Sequence, residues 1–214
     1  MRHILHIEAS PRGDLSTSTR VAKDFLEAVQ AAAGPVPVIR RNLWETELPE
    51  FSGDAIGAKY ARLRGEELTQ AQQQAWDEIA RLVGQLDAAS ALLISTPMWN
   101  LGLPYRLKHW FDLVTQPGLS FRFRPSEGYF PLLRSRPVIV ILASSGDFSS
   151  GLSYDRPDLA SGYLTAALGF LGLTSPAIVA VGPTAGTEEA IRAGDKSAAR
   201  RLQSLAPDFA RVFQ

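Results

Sequence analysis

The chain has 214 residues, 45% of them hydrophobic and 21% charged, which is enough for one sizeable core or at most two small ones. Its 22 Lys and Arg balance 22 Asp and Glu; that removes the basic field on which nucleic-acid binding relies and argues against an acidic carrier that docks on basic partners. Cysteine is absent, so disulfides, thiolate nucleophiles and cysteine metal sites are excluded, and no stretch holds the ~20 apolar residues that a membrane span needs.

Met1-Arg2-His3 leads into the first strand with no apolar leader before it, which predicts a cytoplasmic protein. Short apolar runs recur at Ile4 to Ile7, Val36 to Ile39, Ala91 to Ser95, Val138 to Ala143 and Ala177 to Val181. Each is nearly continuous in apolar residues, the pattern of strands covered on both faces. Helical periods lie between and after them, at Thr19 to Ala32, Gln70 to Gln85, Tyr105 to Thr115, Ser161 to Leu171 and Glu188 to Phe213. Strand alternating with helix predicts an α/β fold with a parallel five-stranded sheet and helices on both faces. Gly34-Pro35 stops the first helix, and Pro183 ends the last strand. Two insertions interrupt the rhythm, near 43–68 and 118–133. The first contains a segment rich in Ala, Arg and Glu that suits a helix; in the second, alternation over Ser120 to Arg124 suggests a strand or hairpin arm leaving the main sheet. With no repeat, low-complexity tract or linker, residues 1–214 read as a single domain.

Ligands of an open parallel sheet bind beyond the carboxyl ends of its strands, so three loops carry the chemistry. The first runs from Glu8 to Ser18 and supplies Ser10, Ser16, Thr17, Ser18 and Thr19 at the head of a helix. One hydroxyl suffices to cap a helix; so many beside free N–H groups and a positive dipole end favour an anion cradle over simple capping. The loop is neither a Walker loop, lacking Gly-Lys-Ser/Thr, nor a Gly-x-Gly-x-x-Gly turn. The second loop, Ser95 to Pro104, includes Pro97, Met98, Trp99, Asn100 and Leu101. Its prolines fix the backbone, Met, Trp and Leu offer an apolar wall, and Asn100 brings a donor and an acceptor. That combination suits a flat heteroaromatic ligand, although a loop that merely fills the sheet edge accounts for the apolar part. The third loop, Ser144, Ser145, Gly146, Asp147 and on to Gly151, lets backbone groups approach a ligand closely; alone it reads better as a flexible polar loop.

Of the three histidines, His3 and His6 lie on the first strand and His109 in the third helix. No His-x-x-x-His pair or carboxylate cluster accompanies them, so no metal site is expected. The aromatic residues Phe121, Phe123, Tyr129 and Phe130 sit on the second insertion; on an arm that leaves the sheet they suit a lid over substrate or a dimer contact better than a core.

Taken together, Ser10 with Ser16-Thr17-Ser18, Pro97-Met98-Trp99-Asn100 and Ser144-Ser145-Gly146-Asp147 resemble the FMN-dependent NADH:azoreductases, a family of flavodoxin-like quinone reductases. The similarity extends through Leu107 to Asp112, Gly118 to Phe121 and Leu168 to Gly172. It implies a flavodoxin-like sandwich with strand order 2-1-3-4-5 and one FMN per subunit of a homodimer. It also implies that Ser10, Ser16, Thr17 and Ser18 hold the FMN phosphate. Pro97, Met98, Trp99, Asn100 and Leu101 would line the isoalloxazine, and Ser144 to Asp147 would meet its other side. Trp99 stands where the family usually has tyrosine, and Asp147 where it commonly has glycine. The implied activity is ping-pong transfer of two electrons from NADH or NADPH to quinones or aromatic azo compounds, with no side-chain nucleophile. The rivals are a quinone reductase without useful azo activity, a flavodoxin-type electron shuttle and a regulatory module that never holds flavin.

Overall fold

The computed structural model describes residues 1–214. In chain order the elements are β1 (Ile4–Glu8), α1 (Thr17–Ala33), β2 (Val38–Asn42), α2 (Gly53–Arg64), α3 (Gln70–Ala88), β3 (Ala91–Pro97) and α4 (Tyr105–Val114). There follow β4 (Phe121–Arg124), β5 (Gly128–Pro131), β6 (Val138–Ala143), β7 (Leu152–Ser153), β8 (Arg156–Pro157), α5 (Leu159–Phe170), β9 (Ala177–Val181) and α6 (Glu188–Ala210). The main sheet has five strands in the order β2-β1-β3-β6-β9, every pair parallel. With the short hairpins β4-β5 and β7-β8 set aside, this is the order 2-1-3-4-5. The two insertions become helix α2 and the antiparallel hairpin β4-β5.

Side-chain alternation along the central strands divides the interior in two. Leu5, Ile7, Leu92, Ile94 and Val140 face α3, α4 and α5. Ile4, Leu93, Ile139 and Ile141 face α1 and α6. The central strands β1, β3 and β6 are therefore buried on both sides, which is why their sequences are mostly apolar, with His6, Glu8, Ser95 and Thr96 the buried exceptions. The second strand departs from expectation. It occupies Val38–Asn42 rather than Val36 to Ile39, and it is half exposed. An edge strand is covered on one side only, so its signal is mixed, and two of its five residues are Arg40 and Arg41.

Helix ends follow local chemistry. The Ser16 hydroxyl accepts from the Thr19 N–H at the start of α1; Thr69 and Gln72 form a reciprocal capping box on α3, and Asp158 caps α5. The C-terminus of α3 has an unusual stop. The Arg136 guanidinium, on a residue only 8% exposed, donates to the carbonyl oxygens of Leu86, Asp87 and Ala89 and pairs with the Asp87 carboxylate at 3.0 Å. Burial pulls its pKa below the usual arginine value, against the opposing pull of Asp87. Those carbonyls lie at a helix end, where intrahelical donors run out, and their other donors, the Ala89 N–H to Leu86 and Arg134 to Asp87, are each 3.4 Å away. Arg136→Met is therefore expected to cost roughly 3 kcal/mol, because several buried acceptors lose their partner at once. Urea unfolding measures it; a loss below about 1 kcal/mol would mean that water replaces the guanidinium.

Candidate active site

The carboxyl ends of β1, β3 and β6 lie side by side at one end of the sheet, and the loops that follow them converge there. A cavity of about 200 Å³ opens between them. Its first wall is Ser10, Pro11, Arg12, Ser16, Thr17 and Ser18. Its second is Pro97, Met98 and Trp99, with Ala143, Ser145 and Thr184 closing the far side. Two of the three loops singled out from sequence thus meet here, the second through Pro97 to Trp99, and the third enters through Ser145.

The first wall is built to receive an anion. Ser16 and Ser18 are buried, with their hydroxyls 3.2 Å apart. The first N–H groups of α1, those of Thr17 and Ser18, have no partner inside the helix by construction, and the Thr19 N–H is taken by Ser16. The positive end of a 17-residue helix adds its field. Nearby Asp14 would oppose an anion, but Lys23 Nζ holds its carboxylate at 2.8 Å. The hydrogen bond to Lys23, and then its charge, hold the Asp14 carboxyl below its usual pKa. Exposed Arg12 borders the cavity with its side chain in no ion pair, while its backbone N–H reaches Ser10 Oγ at 3.4 Å.

The second wall is stiffened by its turn. Trp99 and Gly102 exchange backbone hydrogen bonds of 3.0 and 2.9 Å, which places Asn100 and Leu101 in the two central positions of a tight hairpin. Both have positive φ, 48° and 68°, the backbone of a type I′ turn. Leucine is a poor choice for that conformation, and such strain concentrates where a loop must be held in one shape. Asn100 is exposed at the tip and, like Leu101, lies outside the cavity lining.

The third loop divides. Ser145 lines the cavity, whereas Gly146 and Asp147 line an adjoining cleft of about 790 Å³ that runs to the head of α6. Ser144 does not line the cavity: its buried hydroxyl donates to the Gly146 carbonyl at 2.8 Å, so the side chain braces the loop. Gly182 explains why the brace is tight, since a Cβ there would stand 2.5 Å from the Gly146 oxygen. Asp147 is exposed, and its carboxylate accepts from the Ser149 N–H at 2.9 Å. That backbone bond, with help from the Ser149 side chain, holds its pKa below the usual value. The aromatic arm divides as well. Phe121 is buried against Phe170, ring centres 5.1 Å apart, because it roots the hairpin in the fold. Phe123 and Tyr129 remain exposed at 45% and 61%, and Phe130 is half-buried beneath the Arg122 and Arg124 guanidinium groups.

Sequence reasoning missed Arg12 and Thr184, which also line the cavity. Arg12 stands inside the serine loop; Thr184 lies in the loop after the fifth strand of the sheet. It also missed a polar row beneath α1. His6, Glu8 and Ser95 are all buried, His6 Nε2 lies 2.9 Å from Ser95 Oγ, and Arg40 grips the Glu8 carboxylate with two bonds of 2.9 Å. No group of three or more His, Cys, Asp or Glu side chains is arranged to hold a metal ion, and no helix is long and apolar enough to cross a membrane.

A doubly wound parallel sheet with an anion cradle after its first strand and a ligand cavity at the β1/β3 switch point defines a flavodoxin-like protein. Residues 2–205 match the family described as having a flavodoxin-like fold, and the chain belongs to that family. It is 43% identical over 209 residues to FMN-dependent NADH:quinone oxidoreductase 1 of Bradyrhizobium diazoefficiens, covering 98% of this chain and 100% of the relative. The FMN-dependent NADH:quinone oxidoreductase of Nitratidesulfovibrio vulgaris is 38% identical over 211 residues, with the same coverage of 98% and 100%. Among solved structures, an FMN-dependent NADH-azoreductase from Bacillus anthracis in complex with FMN superposes with a TM-score of 0.80 at 26% identity, covering 96% of this chain and 100% of that one. An azoreductase from the same organism gives a TM-score of 0.86 at 22% identity over 98% and 100% of the two chains, a likeness of fold.

Proposed function

We propose that this protein is an FMN-dependent oxidoreductase that moves two electrons from NADH or NADPH to quinones and aromatic azo compounds. The observation that carries the reading is the single cavity that joins the Ser16–Ser18 cradle to the Pro97–Trp99 wall. The names of the relatives support it, since those 43% and 38% identical are FMN-dependent NADH:quinone oxidoreductases.

The residues fit the cofactor. Buried hydroxyls and unspent N–H groups suit a phosphate, no unscreened carboxylate opposes it, and Trp99 presents a flat apolar surface where a ring system must lie. Ser10, Ser16, Thr17 and Ser18 would hold the phosphate, with Arg12 adding charge at the rim. Met98, Trp99 and the Asn100-Leu101 turn would hold one side of the isoalloxazine, and Ser145 with Gly146 and Asp147 the other. When bound, FMN supplies the two-electron chemistry, and the protein supplies position and electrostatics. The chain's own part is to fix the anion at α1, keep the Trp99 loop rigid through its strained turn, and leave one face of the site open to successive flat ligands.

We place the protein in the cytoplasm as a homodimer with one FMN per subunit, residues 1–214 forming one domain. What supports a second copy is the apolar group Phe123, Tyr129, Leu132 and Phe170, all exposed on one subunit beside the arm, a cluster that an isolated chain would leave in water. The test is the absorbance spectrum of flavin-loaded protein. Under anaerobic conditions the yellow band is expected to bleach with NADH or NADPH and to return when a benzoquinone or an azo dye is added. Protein that cannot take up FMN, or that keeps its colour with both donors, would overturn the reading.

A further inference from the structure

Trp99 does not end the aromatic surface of the site. Its ring lies 5.7 Å from that of Trp44, tilted by 52°, and Tyr105 closes on Trp44 edge-on at 5.3 Å. Trp44 is itself fixed, because its indole N–H donates to the Ala9 carbonyl at 3.0 Å, at the root of the serine loop. The Arg106 guanidinium rests over the Trp44 ring at 5.6 Å from its centre. Unlike Arg40 or Arg136, Arg106 pairs with no carboxylate, and its buried Nε donates to nothing. Stacking on an indole holds a guanidinium flat and partly dry but leaves its hydrogen-bonding edge unspent. A planar fork of donors, fixed on Trp44 one ring beyond Trp99, matches a planar or tetrahedral oxyanion.

We propose that Arg106 is a specificity-determining residue that grips an acidic substituent, a carboxylate or sulfonate, on a flat acceptor that enters the open face of the site and extends past Trp99 toward Trp44. This rests on the reading of the chain as a quinone and azo reductase. Trp44 acts as the shelf that orients the guanidinium, and Tyr105, 64% exposed, borders the approach. Neutral acceptors use the same open face without the grip, so the arginine sorts acceptors by charge and takes no part in electron transfer.

The test uses flavin-loaded protein and two acceptors, 2-methyl-1,4-naphthoquinone and 1,4-naphthoquinone-2-sulfonate, with wild type, Arg106→Met and Arg106→Lys. Met keeps an apolar stem on Trp44 and removes the charge; Lys keeps the charge and loses the fork. Arg106→Met is expected to lose roughly ten- to a hundredfold more kcat/KM on the sulfonated than on the methylated quinone, through KM, as fits loss of a charged hydrogen bond. Arg106→Lys should fall between. Equal losses on both acceptors, or none, would overturn the proposal and leave Arg106 a packing residue. Should wild type reduce neither quinone, the functional reading fails, and equilibrium dialysis of the sulfonated quinone against wild type and Arg106→Met decides the anion site alone: a tenfold weaker dissociation constant supports it, and equal constants sink it.

Discussion

Replacing Ser16 and Ser18 together by Ala is expected to weaken FMN binding by roughly 10²–10⁴-fold, because each hydroxyl is assigned a hydrogen bond to a charged phosphate worth about 1.5–3 kcal/mol. Stability should fall far less, since Ser16 alone caps α1 through the Thr19 N–H, a contribution of about 1 kcal/mol. The two roles can be separated. Ser16→Asp keeps a good N-cap acceptor and the favourable helix dipole interaction, yet it sets a carboxylate where the phosphate would lie. It should therefore unfold at or above the wild-type temperature while binding FMN more weakly than Ser16→Ala. Flavin fluorescence titration of the flavin-free variants, read beside thermal denaturation, measures both quantities. If affinity were unchanged in the double Ala variant, the hydroxyls would serve only to cap the helix, and the anion would have to be held by N–H groups and Arg12.

The contrast between what was legible in the sequence and what was not follows from the range of the forces involved. Strands β6 and β9 begin and end where their apolar runs do, since burial on both faces writes itself into consecutive residues. The serine loop and the Trp99 loop could be read because their residue types are unusual for their place, and the parallel fold brings such loops to one end of the sheet. The edge strand β2 was misplaced, by two residues at its start and three at its end, because a half-exposed strand carries both charges and apolar side chains. Ser144 and Phe121 have the right chemistry for a site but turn inward, and only tertiary packing decides that. The polar row of His6, Glu8, Ser95 and Arg40 was beyond local pattern altogether. It exists because the register of β1 sets His6 opposite Arg40 on β2 and Glu8 opposite Ser95 on β3.

That row should dominate the pH dependence of folding. Glu8 is 2% exposed, and its two carboxylate oxygens are each held by Arg40, whose side chain is 59% exposed and keeps its own hydration. The hydrogen bond to Glu8, then its charge, raises the Arg40 pKa above its usual value. Arg40→Met would strand a buried carboxylate, a change that typically costs about 3–5 kcal/mol. The double variant Glu8→Gln with Arg40→Met removes the stranded charge and should recover much of that loss. His6 sets the acid limb. Burial lowers its pKa from 6.5 to about 4, outweighing the raising effect of Glu8, and Arg40 lowers it further. The unfolded chain therefore takes up a proton on His6 near pH 6.5 that the folded chain refuses until about pH 4. Stability from this group is complete above pH 6.5 and drains away as pH falls toward 4, by roughly 3 kcal/mol in all. Removing Arg40 takes away one of the charges that keep His6 neutral, and it frees Glu8 to pair with a protonated His6 Nδ1, now 3.3 Å from Glu8 Oε1 without a hydrogen bond between them. The penalty of Arg40→Met should consequently be largest near pH 8 and shrink toward pH 5. Urea unfolding across that range measures it: a gap between wild type and variant that stays constant with pH would show that His6 and the Glu8–Arg40 pair do not act on one another.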